Sequence, residues 1–169
     1  DNLLDLGCGN GDLLLEAHRQ TKGDGVLAGL DLSPEMLALA KSRVGGKASL
    51  MPGNSLDGLP FNDGSLHLVT SLNLLQELPT DAIPPLLKQV HRVLRPGGCF
   101  HAVIPCMADR IPASQAFQEL AQERGAMKFW WPEELEGLLT DVPGFTQKEF
   151  RVAASPAASD ASKGITSFK

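Results

Sequence analysis

Three glycines at alternate positions, Gly7, Gly9 and Gly11, follow an apolar run that carries a single acid, Asp5. The run reads as a buried parallel strand and the glycines as a turn where backbone comes close to a ligand. A residue without Cβ reaches positive φ at no steric cost. A second acid, Asp31, closes another short apolar run twenty residues after Gly11. A carboxylate there can accept both hydroxyls of a ribose. The glycine spacing then separates ligand classes. A dinucleotide loop reads GxGxxG, but here the third small position is Asp12 and the extra glycine is Gly11. An acid repels a pyrophosphate and attracts a cation, so the spacing argues against a nicotinamide dinucleotide.

Short apolar strands alternating with helical patterns must position these residues, which is the signature of an α/β fold with a parallel sheet. Leu3 to Leu6 is the first strand, and Asp12 is expected to cap a helix running to about Gln20. Val26 to Asp31 is a second strand. Ser33-Pro34 opens a helix with Leu37, Ala40 and Val44 inward, stopped by Gly45-Gly46. Ala48 to Met51 and Leu66 to Leu72 follow as strands, the latter after the turn Asn62-Asp63-Gly64. Ile83, Leu86, Leu87, Val90 and Leu94 fall at helical spacing, with Pro96-Gly97-Gly98 ending that helix before a strand from Cys99 to Ile104. A segment rich in Ala, Gln and Glu spans Cys106 to Trp131. Pro132 opens a helix with Leu135, Leu138 and Leu139 inward, closed by Pro143-Gly144. Phe145 to Val152 reads as a strand, Ala153 to Lys163 as a mobile loop of small residues, and Ile165 to Phe168 as a last strand.

The 169 residues suit one domain with a real core, and a net charge of −5 argues against a nucleic-acid partner gripped by its phosphates. No apolar run approaches the length of a membrane span, and no basic leader precedes an apolar segment. Three cysteines, Cys8, Cys99 and Cys106, without CxxC spacing speak against a disulfide framework or a metal site and for a reducing cytoplasm.

The run Leu-Leu-Asp-Leu-Gly-Cys-Gly-Asn-Gly at residues 3–11, Asp31 followed by Ser33-Pro34-Glu35-Met36, Leu59-Pro60-Phe61, and Leu94-Arg95-Pro96-Gly97-Gly98 stand in a familiar order. Together they resemble the class I S-adenosylmethionine-dependent methyltransferases of the small-molecule, type 11-like kind, over nearly the whole chain. The resemblance implies a Rossmann-like, doubly wound, seven-stranded and mostly parallel sheet of order 3-2-1-4-5-7-6. Strand seven would be antiparallel, with helices on both faces. It implies S-adenosylmethionine as cofactor, S-adenosylhomocysteine as product, and methyl transfer to an oxygen, nitrogen or carbon of a small organic acceptor. Gly7, Cys8, Gly9 and Gly11 would let the methionine and ribose approach the backbone. Asp5 would hold the ammonium, Asp31 the ribose hydroxyls, and Leu32 and Met36 would pack near the adenine. Asn54, where the family usually has an acid, would accept from the adenine amino group as a neutral, weaker acceptor, though asparagine after Pro52-Gly53 is equally what an ordinary turn prefers. Ser55 would donate to a ring nitrogen, and Ser71 would border the methionine side. Asn73, Gln76, Trp130 and Trp131 would face the acceptor; Met127, Phe129 and the two tryptophans read equally as core residues or as lining of that pocket.

Two departures from the family stand out. His67 replaces an aspartate that commonly opens strand four, far from the chemistry, and reads as structural. Gln76-Glu77 replaces a pair of histidines and can alter substrate choice or acid–base chemistry. Methyl transfer to an activated carbon needs alignment and exclusion of water more than machinery. Should a base be required, Glu77, His101 and His18 are available. His101 alternates with Phe100 and Ala102, the pattern of a satisfied core histidine, while His18 and His91 read as helix-surface residues. Cys8, between glycines, reads as a small filler rather than a nucleophile. Two other functions remain open on the same residues: a non-catalytic cofactor-binding or interaction protein, and an NAD(P)-dependent oxidoreductase. The chain begins inside a strand without an initiator methionine, so residues 1–169 are expected to form one domain lacking the family's N-terminal helices, with weakened turnover.

Overall fold

The computed structural model describes residues 1–107, 110–123, 128–140, 142, 144, 145, 148–154 and 163–168. At its centre lies β1 (Leu3–Leu6), buried along its whole length. It pairs in parallel with β2 (Leu27–Asp31) on one side and β4 (Leu66–Leu72) on the other. β3 (Ser49–Pro52) extends the sheet beyond β2, and β5 (Leu94–Val103) extends it beyond β4, both in parallel. Strands covered on both faces must be apolar throughout, which is why these read as continuous runs rather than alternations. The α/β expectation with its parallel sheet is borne out. At the β5 edge the sheet continues through β7 (Lys163–Phe168) to β6 (Lys148–Ala154), both pairings antiparallel.

Helices flank this sheet. Leu4, Leu6, Leu30, Val69 and Phe100 share a core cluster with Ile83, Leu86, Leu87 and Val90 of α3 (Ile83–Val93), and with Leu135 of α5 (Pro132–Thr140). Leu3 and Leu27 join a second cluster with Leu14 of α1 (Asp12–Gln20) and Val44 of α2 (Pro34–Val44). α4 (Pro112–Glu123) follows β5 in the chain.

Several boundaries differ from the sequence expectation. Asp12 is the first residue of α1 and not its cap; left-handed Gly11, φ 80°, holds the cap position without a side-chain bond. Ser33 does cap α2, its Oγ accepting from Met36 N at 3.2 Å. α3 stops at Val93, and Leu94 already pairs with Leu66 of β4, so Leu94-Arg95-Pro96-Gly97-Gly98 belongs to the strand and not to the helix end. The register slips between Leu66 and Leu68, which absorbs the extra residues as a bulge. Proline lacks a ladder donor and tolerates such a site. β2 starts at Leu27, β3 runs one residue later than expected, and β6 runs to Ala154, taking residues assigned to the loop. The remainder of that loop, residues 155–162, lies outside the described residues, as do Met127 and Pro143.

Candidate functional site

The C-terminal ends of β1 and β2 meet through one carboxylate. Gly7 N and Cys8 N both donate to Leu30 O, at 2.8 and 3.1 Å, which folds the loop after β1 against β2. Asp31, the last residue of β2, then receives Gly9 N on Oδ2 at 2.7 Å and Ser33 N on Oδ1 at 2.9 Å. The acid thus fixes both loops, and each oxygen keeps a lone pair for a further donor. Gly9 has φ 50°, and a Cβ built there would meet nothing within 4 Å, so the loop presents bare backbone to open space. Gly11 differs: its Cβ would lie 2.6 Å from Val44 Cγ2, so this glycine lets α2 close on the loop.

Beneath the loop, Asp5 is 2% exposed and accepts from Thr70 Oγ1 at 2.8 Å. Burial pushes its carboxyl up to about 6 from 3.8; the Thr70 hydrogen bond opposes this and the Asp31 charge adds to it. Cys8 turns its side chain into the core, where a Cβ on Gly29 would sit 2.7 Å from its Sγ. Burial first, then the charges of Asp5 and Asp31, push the thiol up to about 12. Cys8 is the expected filler, and only its backbone is available to a ligand. Asp12 is engaged elsewhere: its carboxylate pairs with Arg43 of α2 and accepts from Asn10 Nδ2 at 2.9 Å. The cation it attracts is this arginine, so Asp12 does not discriminate between ligands.

Beside Asp31, Leu32 and Met36 leave apolar side chains 70% and 43% exposed. Gly53 N donates to Asp31 O at 3.0 Å and brings Asn54 and Ser55 to the same rim. Asn54 Oδ1 already accepts from Leu56 N at 3.0 Å, the turn role asparagine commonly takes, which leaves one lone pair for a ligand. Ser55 is buried.

A second group gathers at the C-terminal end of β4 and just beyond it. Ser71 is fully buried, with no hydrogen-bond partner for its Oγ. Asn73 is exposed in left-handed backbone, φ 55°, held by its N–H on Val103 O at 2.9 Å. Gln76 is buried and Glu77 exposed on a short turn, Leu75–Glu77. Lys128 N donates to Gln76 O at 3.1 Å, and Met107 N to Trp130 O at 2.9 Å. Those bonds seat Trp130, with Trp131 buried beside it in sequence, against the segments after β4 and β5. Lys128 Nζ stands 3.9 Å over the Trp130 ring, and Arg110 4.8 Å over Trp131. Phe129 instead packs on Phe117 of α4, ring centroids 5.5 Å apart.

The fold therefore brings Asp5, Gly7, Gly9, Asp31, Asn54, Ser55 and Ser71 to the C-terminal rim of neighbouring strands. His101 stands opposite Thr70 in the β4–β5 register, within the strand, and its buried Nε2 has no partner, so it is not the satisfied histidine expected. His18 is half-buried rather than on the surface, while His91 is exposed as expected. His67 accepts from Asn2 N through Nδ1 at 3.1 Å, at the opposite end of β4, a structural role as read. Sequence reasoning misses Thr70, Arg43 and Arg92. A lone threonine in an apolar strand is a signal for the first; the arginines find partners some thirty residues away, which no local pattern announces.

Against this geometry stand the proteins the chain is similar to. The family described as "Methyltransferase domain" matches residues 3–98. A demethylmenaquinone methyltransferase of Symbiobacterium thermophilum is 37% identical over 105 residues, 59% of this chain and 41% of that protein. A 2-phytyl-1,4-naphtoquinone methyltransferase of Synechococcus elongatus is 30% identical over 167 residues, 94% of this chain and 70% of that protein. In fold, the chain matches a crystal structure from Methanosarcina mazei described as a SAM-dependent methyltransferase. The TM-score is 0.76 at 24% identity, over 99% of this chain and 90% of the other. The chain thus spans less than half the length of the first of these relatives. With its glycine loop, paired acids and parallel sheet in the matched region, the chain belongs to the methyltransferase-domain family.

Proposed function

We propose that the chain binds S-adenosylmethionine on the rim of β1, β2 and β3 and directs its methyl group to an oxygen, nitrogen or carbon of a small organic acceptor. The observation that carries this reading is the open space over Gly9 beside the Asp31 carboxylate, flanked by bare Leu32 and Met36. When bound, the cofactor's sulfonium supplies a methyl carbon already activated toward displacement. The chain's own residues bind and orient. The backbone of Gly7, Cys8, Gly9 and Gly11 leaves room for the methionine and ribose. Asp31 takes the ribose hydroxyls on its free lone pairs, and Leu32 and Met36 cover the adenine. Asn54 and Ser55 meet the polar edge of that base. Asp5, with one oxygen held by Thr70, attracts the ammonium, and Ser71 borders the methionine side.

On this reading catalysis rests on alignment and exclusion of water. Of the base candidates Glu77, exposed on its turn, is the best placed; His101 lies within β5 and His18 on α1. Asn73, Gln76, Trp130 and Trp131 bound the acceptor side. The names of the relatives favour a quinone-type acceptor. We also read β7 and β6 as completing the family's order 3-2-1-4-5-7-6, residues 1–169 as one cofactor-binding domain, and the protein as cytoplasmic, without a nucleic-acid partner. Among the described residues no helix is long and apolar enough to cross a membrane.

Calorimetric titration with S-adenosylhomocysteine and S-adenosylmethionine tests the reading. Binding is expected with Kd at or below tens of micromolar, on the order of 6–7 kcal/mol. Absence of heat with both ligands overturns it.

A further inference from the structure

Asp5 belongs to a row that crosses the sheet. Gly29 of β2 and Thr70 of β4 flank it in register, and His101 of β5 stands beyond Thr70. Thr70 Oγ1 lies 2.8 Å from Asp5 Oδ1 and 3.4 Å from Leu4 O. A hydroxyl has one proton to give, so the shorter contact to the acid takes it and the carbonyl receives at most a share. Both residues are buried, and the bond is shielded from water. It has two effects on the acid. It ties Oδ1, which leaves Oδ2 for a ligand or a proton, and it favours the ionised carboxyl over the neutral one. In the second effect it opposes burial and the charge of Asp31, which both favour the neutral form. The other titratable groups around Asp5 are the Cys8 thiol in the loop and His101. From α1 and α2 come the exposed, mutually paired Asp12 and Arg43.

We propose that Thr70 is a positioning residue for the cofactor: by holding Asp5 Oδ1 it leaves Oδ2 charged and turned to the cofactor's ammonium. This rests on the S-adenosylmethionine reading above and adds a residue that acts through Asp5 rather than by contact. Proton and ammonium then compete for one oxygen. Cofactor affinity therefore follows the ionised fraction of Asp5, and falls by up to about tenfold for each pH unit once the carboxyl is protonated. With that carboxyl at about 6, the fall begins just below neutral pH. The donor from Thr70 keeps it from beginning higher.

The test titrates S-adenosylhomocysteine and 5′-methylthioadenosine into the full chain from pH 4.5 to 8. Both ligands carry the adenosine and a thioether, but only the first has the ammonium. The second therefore reports whatever Thr70 does for the fold or for Asp31. In the wild type, S-adenosylhomocysteine should weaken as pH falls through 6, and 5′-methylthioadenosine should not. Thr70→Val keeps the shape and removes the donor. It is expected to move the weakening up by about one pH unit, so that S-adenosylhomocysteine binds about fivefold more weakly at pH 6. Affinity for 5′-methylthioadenosine should stay within about twofold of the wild type. Thr70→Ser, which restores the hydroxyl, should return the wild-type profile, and Thr70→Ala replaces the valine variant if that one does not fold. A valine or alanine profile that coincides with the wild type, a parallel loss of 5′-methylthioadenosine, or a serine variant that behaves like valine overturns the proposal. Binding of both ligands with an unmoved profile sinks the Thr70 assignment alone. Failure of both on the wild type at pH 8 sinks the cofactor reading and this proposal with it.

Discussion

Gly9 and Gly11 stand two residues apart in one loop, and a methyl group added to each should fail for different reasons. Both have positive φ, 50° and 80°, which costs an L-residue about 1 kcal/mol or somewhat more. At Gly9 the new Cβ enters empty space. Gly9→Ala is therefore expected to lose only about 1–2 kcal/mol in urea unfolding while S-adenosylhomocysteine affinity falls more than about tenfold. At Gly11 the Cβ strikes Val44, so Gly11→Ala should cost about 2–4 kcal/mol through overpacking added to strain. Asp5 carries a second prediction at this scale. Burial raises its folded carboxyl from 3.8 to about 6. Between those values the folded protein holds a proton that the unfolded chain has released. The group's favourable contribution is therefore complete below about pH 4 and lost as pH rises through 6, a swing of about 2–3 kcal/mol. The ionised form is the one that attracts an ammonium. Comparing wild type with Asp5→Asn from pH 4.5 to 7.5, the stability difference should follow that swing. S-adenosylhomocysteine affinity of the wild type should move the other way, weakening below pH 6. A flat difference between the two proteins refutes the account.

At the scale of elements, α3 is tied to the loop after β3 by one side chain. Arg92 donates from Nη1 to Phe61 O at 2.9 Å and from Nη2 to Leu59 O at 2.8 Å, and it pairs with exposed Asp63 at 2.7 Å. Leu59 is buried in the main core cluster, so the fork anchors a loop whose apolar residues are already packed. The ion pair is exposed and counts for little; the hydrogen bonds to the two carbonyls stabilise more. Arg92→Ala should lower stability by about 2 kcal/mol, and Arg92→Lys should recover less than half, because an ammonium lacks the planar fork. Urea denaturation of the three proteins decides it: equal stabilities would mean the loop is held without the arginine. The helices show how local chemistry sets their ends. α2 starts where Ser33 and Pro34 say it should and stops at Gly45 with φ 61°. α3 ends earlier than its Pro-Gly-Gly signal because Leu94 is taken by the sheet.

At the scale of the whole molecule, the sheet order decides which distant residues become neighbours. β1 lies between β2 and β4, so Asp5 meets Thr70 across 65 residues of chain and Gly9 meets Asp31 across 22. The alternation of apolar runs and helical patterns, the glycine loop and the acid closing β2 are all legible in the sequence. Each is a local consequence of backbone sterics, side-chain periodicity or the needs of a buried strand. Asp12 misleads in the sequence because its partner, Arg43, comes from another helix. Cys8 falls in the loop on either reading, but only packing against Gly29 shows that its thiol points into the core. Asn54 suits both a ligand acceptor and a turn residue in sequence, and the structure has the turn bond in place. The orphaned oxygen of Gln76 and indole nitrogen of Trp130 are invisible in sequence, since burial and missing partners are properties of the assembled segments. By itself, then, the sequence determined the strand-and-helix order and the backbone geometry of the loop, which depend on nearest neighbours along the chain. Only the tertiary structure decided which charges are paired, which side chains are buried and which polar atoms are left waiting for a partner, because those depend on neighbours in space.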